Sequence, residues 1–517
     1  MTDGTMNGAE SLVTTLLAAG IDVCFANPGT SEMHFVAALD RIRGVRCVLG
    51  LFEGVVTGAA DGYARMAGRP AATLLHCGPG LANGLANLHN ARRANVPMVN
   101  IVGDQASYHR PLDAPLTADT EGWARGVSGW VRTTRTAAEV GSDAAEAIFA
   151  ACTPPGAIAT LILPSDVCWS DGGVPGAPRA APPPARIAAP AIEDIARLLR
   201  RNEPVVILLA GTALRAAALA DAHRIAAATG ARLLAPLSNR RIEHGQGRYP
   251  IERIVYSVDH AVAQLQGTRH LVLIGATPPV TFFAYPGKPG RPYSTEVEIH
   301  SLAGPGDDLP AALADLADAL DAPPLAGPSD LPRPAPALGA ITPEAVAQTL
   351  AALLPENAIV VDESVSFGWA FYPRMQAAPP HDWLQLTGGA IGDGLPMATG
   401  AAIAAPGRRV VTLQADGSAM YTLQALWTQA REALDVTTVL LSNRKYQILF
   451  GELANVGAAT GPAASSLFDL GNPAIDWVHL ARSLGVEAAR AEEMEQFGHA
   501  FRQANGGPGP SLIELVI

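Results

Sequence analysis

Asp416, Gly417 and Ser418 stand where an apolar, strand-like run, RRVVTLQ, gives way to a helix-like one. A carboxylate, a hydroxyl and the free N–H groups of a helix start then share one strand tip, which attracts a diphosphate and a divalent cation bridging its oxygens. The next apolar run, VTTVLLSN, ends at Asn443, 27 positions after Asp416, a separation that holds one helix and one strand. On adjacent strands the two side chains would meet. With a backbone carbonyl near Lys445, water and two phosphate oxygens, they would complete the octahedral oxygen shell that magnesium prefers. Taken alone, Asp-Gly-Ser is more often just a turn.

Glu53 lies in LGLFEGVVTGAADGYARMAG, with no other charge before Asp61. A carboxylate buried there needs a partner; one exposed at a helix start is favoured by the helix dipole. From the residues alone the exposed reading is the expected one. His76 follows the apolar run AATLL and precedes CGPG. An imidazole, with an unperturbed pKa of about 6.5, moves protons at neutral pH, although a strand end also accommodates a histidine that is simply hydrogen-bonded. His34, His89 and His109 have no comparable context.

The elements that must hold these groups alternate between strand and helix, which predicts an α/β fold of parallel sheets covered by helices. Asn7 caps a first helix with Glu10 at its third position, IDVCFA is a strand, NPGT a turn, and a helix starts near Ser31. VRCVLG, AATLLH and MVNIVG are further strands, with helices from Glu53 to about Met66 and, after a Gly-rich turn, through Asn87. PVVILLAG, ARLLAPL and HLVLIGA repeat the pattern. Thr342 and Pro343 start the last third, whose strands are AIVVDES, RRVVTLQADGS and VTTVLLSN. Pro/Gly/Ala-rich stretches from Asp171 to Pro190 and from Asp321 to Leu338 divide the chain, predicting domains over 1–170, 191–320 and 342–517. Ligands of such sheets collect at the carboxyl ends of strands, where the polar and glycine-rich clusters fall.

With 517 residues, 49% of them apolar, the chain is long enough for several cores. A net charge of −12 without Lys/Arg runs argues against nucleic-acid or anionic-membrane partners. Five cysteines without CxxC pairing predict buried, reduced thiols rather than disulfides or structural zinc. MTDGTMNGAE has no signal-peptide pattern, and no apolar run reaches the roughly 18 residues that span a bilayer, so a cytoplasmic location is expected.

Together these motifs resemble the thiamine-diphosphate enzymes that include acetolactate synthase, pyruvate decarboxylase and benzoylformate decarboxylase. Their GDG–NN motif is similar to ADGS–SN here, with Ala415 and Ser442 as departures. LTGGAIGDGLPMATGAA resembles their pyrimidine-gripping loop. The resemblance implies a three-domain thiamine-diphosphate-binding fold, with pyrimidine-binding, central and diphosphate/Mg-binding domains in order. Glu53 would hydrogen-bond the pyrimidine N1′, the Gly389 carbonyl would accept from the 4′-amino group, and Ile391 would wedge the cofactor into its V shape. Ser366, Asp416, Gly417, Ser418 and Asn443 would lie at the diphosphate, with Asp416, Asn443 and the Lys445 carbonyl on Mg2+.

By the same resemblance Thr30 and His76 match substrate-contacting and proton-transferring positions of benzoylformate decarboxylase, while GPGLAN is similar to acetolactate synthase. Gln447, Leu449 and Phe450 would wall the substrate pocket. LLAGTAL and LIGAT are too short to establish a flavin site, so FAD is left open. The implied reaction is non-oxidative decarboxylation of a 2-oxo acid, with or without carboligation. The alternatives are an acetolactate-synthase-type transferase, a flavin-dependent oxidase, or a non-catalytic cofactor-binding subunit. A homodimer or homotetramer with sites between subunits is implied.

Overall fold

The computed structural model describes residues 5–328 and 331–517; residues 1–4 of the amino-terminal stretch, and 329 and 330 of the second Pro-rich stretch, lie outside it. Continuous apolar runs form parallel strands covered on both faces, as such composition requires. Strands β1 (Val23–Ala26), β2 (Arg46–Leu49), β3 (Ala72–Leu75), β4 (Met98–Asp104), β5 (Trp130–Thr133) and β6 (Ile158–Pro164) make a parallel sheet in the order β2-β1-β3-β4-β6-β5. β1, β3, β4 and β6 are buried at every position.

The middle of the chain contributes β7 (Val205–Leu209), β8 (Arg232–Ala235), β9 (Ile242–His244), β10 (Glu252–Arg253), β11 (His270–Ile274) and β12 (Glu298–Ala303). Five of these form a second parallel sheet, β10-β8-β7-β11-β12. β9 leaves it and pairs antiparallel with the carboxyl-terminal sheet. That third sheet contains β13 (Ile359–Glu363), β14 (His381–Gln385), β15 (Val410–Ala415), β16 (Val436–Ser442), β17 (Glu487–Ala491) and β18 (Ser511–Val516), in the order β17-β18-β16-β15-β13-β14-β9.

Local capping follows the sequence. Asn7 and Glu10 form a reciprocal capping box, and the Thr342 hydroxyl accepts the Ala345 N–H with Pro343 at the first helical position. The Gly-rich turn expected after β3 is instead the first turn of a helix, Cys77–Arg93. Pro79 is tolerated there because the N–H it lacks has no intrahelical partner in a first turn. Of the cysteines, Cys24, Cys77 and Cys168 are buried, but Cys47 is exposed and Cys152 half-buried, a departure from the expected burial; all five are free thiols.

The first and third sheets are joined through two helices, Glu53–Ala67 and Gly394–Ala404. Their backbones approach so closely that a Cβ on Gly400 would collide with the Ala59 carbonyl. Arg65, fully buried beside this seam, makes a two-pronged pair with Asp61 at 2.7 and 2.6 Å and donates to the Gln385 carbonyl at 2.7 Å. A buried guanidinium is tolerated only when its donors are matched in this way.

Candidate active site

In the first sheet the connections run outward in opposite directions from β1 and β3, which are neighbours. Such a reversal opens a crevice at the carboxyl ends of the two strands. Thr30 follows β1 and His76 follows β3, and both line a cavity of about 240 Å³ there. Ser31, His34, Cys77, Gln105 and Trp169 complete much of its wall. His34 therefore belongs to this cavity, although its sequence context marks it as ordinary. Gln447, Leu449 and Phe450 are not in its lining. A larger cavity, about 390 Å³, lies by Ser142, Glu146 and Arg179 and contains none of the predicted site residues.

His76 is held by a residue that the sequence did not single out. Its Nδ1 is 2.8 Å from Oε2 of Glu32, which is buried and also accepts the Gly29 N–H at 2.9 Å. Ser31 hydrogen-bonds the other Glu32 oxygen. An ionised carboxylate only accepts, so Nδ1 carries the hydrogen and Nε2 is left for other partners. The His76 side chain is 24% exposed, at the cavity wall. Burial pushes the neighbouring Cys77 thiol up to about 11, which keeps it protonated at neutral pH.

Glu53 begins the helix after β2 and is buried, not solvated. Its Oε2 accepts from Asn83 Nδ2 at 3.0 Å, while Oε1 has no hydrogen-bond partner among the described residues and faces Gly80, where a Cβ would come within 2.8 Å of it. Asn83 is the last residue of GPGLAN, so its spacing from His76 was visible but its partner was not. Its neighbour one turn on, Asn87, donates to the carbonyls of Gly54 and Gly392.

The third sheet reverses between β13 and β15, again adjacent strands. Asp416 follows β15 at this second crevice, as the start of a short helix, Asp416–Ala419. Asp416 Oδ1 accepts the Gly417 N–H at 2.8 Å and Oδ2 the Arg444 N–H at 2.7 Å, which brings the turn after Asn443 onto the carboxylate. Asn443 Oδ1 accepts the Lys445 N–H at 3.0 Å. Burial raises the Asp416 carboxyl above the usual range, a cost that a bound cation would offset. Ala415 has φ −75° and ψ 145°, ordinary extended backbone, so the departure from glycine introduces no strain. Gly417 cannot be replaced so easily, because a Cβ there would lie 2.5 Å from the Tyr446 ring.

Glu363, at the end of β13, is a second residue that the sequence did not mark. It accepts the N–H groups of Gly392 and Gly394, each at 2.6 Å, and Gln414 Nε2 at 3.1 Å; Gln414 also donates to Ser418 at 2.7 Å. The carboxylate thus ties the glycine-rich loop to the Asp416 strand, with burial raising its pKa. In that loop Gly389 has φ +81° and Phe282 lies over it, while Ile391 is half-buried. Ser366 is exposed in the turn that follows β13. Gln447 is exposed and Leu449 and Phe450 half-buried on the helix Gln447–Asn455, which Tyr256 and Tyr285 bind through Glu452 at 2.9 and 2.6 Å. Among the described residues no hydrogen bond joins Glu53 or His76 directly to Asp416 or Asn443.

Hard oxygen donors at one crevice and a buried glutamate with a free oxygen at another suit a magnesium diphosphate and an aminopyrimidine, respectively. Residues 6–123 match the thiamine pyrophosphate enzyme N-terminal TPP binding domain, and residues 365–515 the C-terminal one. The chain belongs to the thiamine-diphosphate-dependent enzymes. Within that family it stands with the decarboxylases and acetolactate synthases. It is 54% identical to IlvX of Mycobacterium tuberculosis, provisionally named an acetolactate synthase large subunit, over 99% of both chains. It is 30% identical to benzoylformate decarboxylase of Pseudomonas aeruginosa over 96% of both. Among solved structures, the enzyme resembles the thiamine-diphosphate-dependent 4-hydroxybenzoylformate decarboxylase of Rhodococcus jostii with a TM-score of 0.86, 26% identity and 98% of each chain covered. No helix of the described residues is long and apolar enough to cross a membrane.

Proposed function

We propose that the enzyme decarboxylates a 2-oxo acid without oxidation, with thiamine diphosphate and Mg2+ bound between two copies of the chain. The bound cofactor supplies a nucleophilic carbon and an electron sink for the departing carboxylate. Glu53 would hydrogen-bond the pyrimidine ring through Oε1, with Asn83 fixing its other oxygen. Asp416, Asn443 and the Lys445 carbonyl hold the cation, Gly417, Ser418 and Ser366 surround the diphosphate, and Gly389 and Ile391 seat the pyrimidine. Thr30, in the cavity wall, contacts the substrate, and Gln447, Leu449 and Phe450, which do not line that cavity within one chain, wall it from the second copy.

The observation that carries this reading is the Glu32–His76 pair at the 240 Å³ cavity. An imidazole oriented by a carboxylate and offering Nε2 to a substrate cavity is equipped to return a proton to carbon and release an aldehyde. Similarity to an aryl-2-oxo-acid decarboxylase favours an aromatic substrate.

The 54% identity to a protein named for acetolactate synthesis favours a second reading, carboligation to a second carbonyl compound. The protein incubated with thiamine diphosphate and Mg2+ should convert benzoylformate, pyruvate or a longer 2-oxo acid to CO2 and aldehyde. Acetolactate from pyruvate would establish the second reading instead, and a yellow protein that consumes oxygen would establish a flavin oxidase.

A further inference from the structure

We propose that the central sheet carries a site for one divalent transition-metal ion of the zinc class, ligated by His270, His300 and Glu298 and oriented by Glu203. His270 opens β11 and pairs in register with Glu298, which opens the edge strand β12; His300 lies two residues further along β12. Alternation along a strand places residues two apart on one face, so all three side chains rise from the same side of the sheet. Glu203 precedes β7, the neighbour of β11 on its other side.

The donor atoms form a triangle. His270 Nδ1 is 3.2 Å from His300 Nε2 and 3.5 Å from Glu298 Oε2, and His300 Nε2 is 3.8 Å from the same oxygen. Bonds of about 2.0–2.1 Å in a tetrahedral zinc site place neighbouring donors roughly 3.3–3.4 Å apart, so the triangle already has nearly the size of one tetrahedral face. One His–His hydrogen bond with two ion pairs to Glu298, and a bound ion, both fit the triangle; metal binding separates them.

Glu203 Oε2 is 2.7 Å from His270 Nε2, with its other oxygen 3.3 Å from Arg269. The carboxylate takes the Nε2 hydrogen and leaves the Nδ1 lone pair aimed into the triangle, the carboxylate–histidine arrangement that orients imidazole ligands of metals. His270 is 1% exposed, whereas the Glu298 side chain is 61% exposed. One ligand is therefore rigid, and the open side leaves a position for water. Two imidazoles select zinc-class ions over magnesium. The cluster sits at the amino ends of the strands, opposite the carboxyl ends where ligands of such sheets collect, so the ion would staple the edge strand β12 to β11 without entering the reaction.

The test uses the full chain, treated with chelator and reloaded with thiamine diphosphate and Mg2+. Calorimetry should show one Zn2+ per chain, and Co2+ should give the visible bands of a tetrahedral nitrogen–oxygen site. His300→Ala and Glu298→Gln should each weaken Zn2+ at least 10-fold, and Glu203→Gln by roughly 10- to 100-fold, while decarboxylation or ligation by His300→Ala stays at the wild-type rate. Unaltered Zn2+ affinity in His300→Ala, or no Zn2+ binding at all, overturns the proposal. So does a thiolate-to-cobalt charge-transfer band, which would assign the ion to Glu32, His76 and Cys77, whose donor atoms also lie within 4.8 Å of one another.

Discussion

Glu32 Oε2 lies 2.8 Å from His76 Nδ1, across the crevice between β1 and β3. The buried carboxylate fixes the ring and its tautomer, so the pair should act as a unit. His76→Ala is expected to slow aldehyde release by about 10²–10⁴-fold, the range for losing a positioned acid or base. Glu32→Gln should cost less, because the amide oxygen still accepts from Nδ1. Product formation followed by chromatography decides; full aldehyde release by His76→Ala removes the residue from the mechanism.

Glu53→Gln should abolish turnover while cofactor binding, read by quenching of protein fluorescence, changes little. Gln keeps the shape of the side chain but has no acidic proton to share with a ring nitrogen. Asn83→Ala should lower activity more modestly, since it frees Oε2 without removing the carboxyl group.

Asp416→Ala and Asn443→Ala should each raise the concentration of thiamine diphosphate needed for half-saturation by tenfold or more, and EDTA should mimic them in the wild type. If chelation leaves cofactor affinity unchanged, the magnesium assignment fails. Binding curves with and without Mg2+ separate the two outcomes.

Gly417→Ala should weaken cofactor binding, because its Cβ would come within 2.5 Å of the Tyr446 ring. Gly389→Ala meets two obstacles, a φ of +81° and the Phe282 ring 2.6 Å from the new carbon. The backbone contribution alone is about 1–2 kcal/mol. Thermal unfolding of both variants, with and without cofactor, measures this.

His381 is fully buried, and desolvation lowers its pKa to about 4; its neighbour His244 is lowered well below the ordinary value for the same reason. In the unfolded chain a histidine titrates near 6.5. Between these values the unfolded state binds a proton that the folded state does not, so stability is retained above about pH 6.5 and lost as the pH falls toward 4. For His381 alone the full loss is roughly 3 kcal/mol. Urea midpoints at pH 7, 6 and 5 should decline, and His381→Asn should flatten the decline.

Strand–helix alternation and the residues at strand tips were legible because they depend on local pattern. VVTLQA followed by Asp416 places a carboxylate at a strand end whatever the rest of the chain does. Strands β5, β6, β12, β17 and β18 were not assigned from the sequence, and the short strands β9, β10 and β14 were not legible. His381–Gln385 carries polar residues at three of five positions yet is buried throughout, because Asp382 is matched by Arg241 and Arg408. Pairings of that kind leave no local periodicity.

The same division runs through the candidate site. By itself the sequence determined that parallel sheets would form, that Asp416 and Asn443 would end strands, and that Glu53 would begin a helix, because hydrophobic period, turn residues and caps act over a few neighbouring positions. Only the tertiary structure decided that Glu53 is buried against Asn83, that Glu32 orients His76, and that Glu363 clamps the glycine-rich loop. Those partners are 30, 44 and about 30 residues apart. What joins them is strand order and the crevices it opens, and strand order comes from how whole sheets and helices pack.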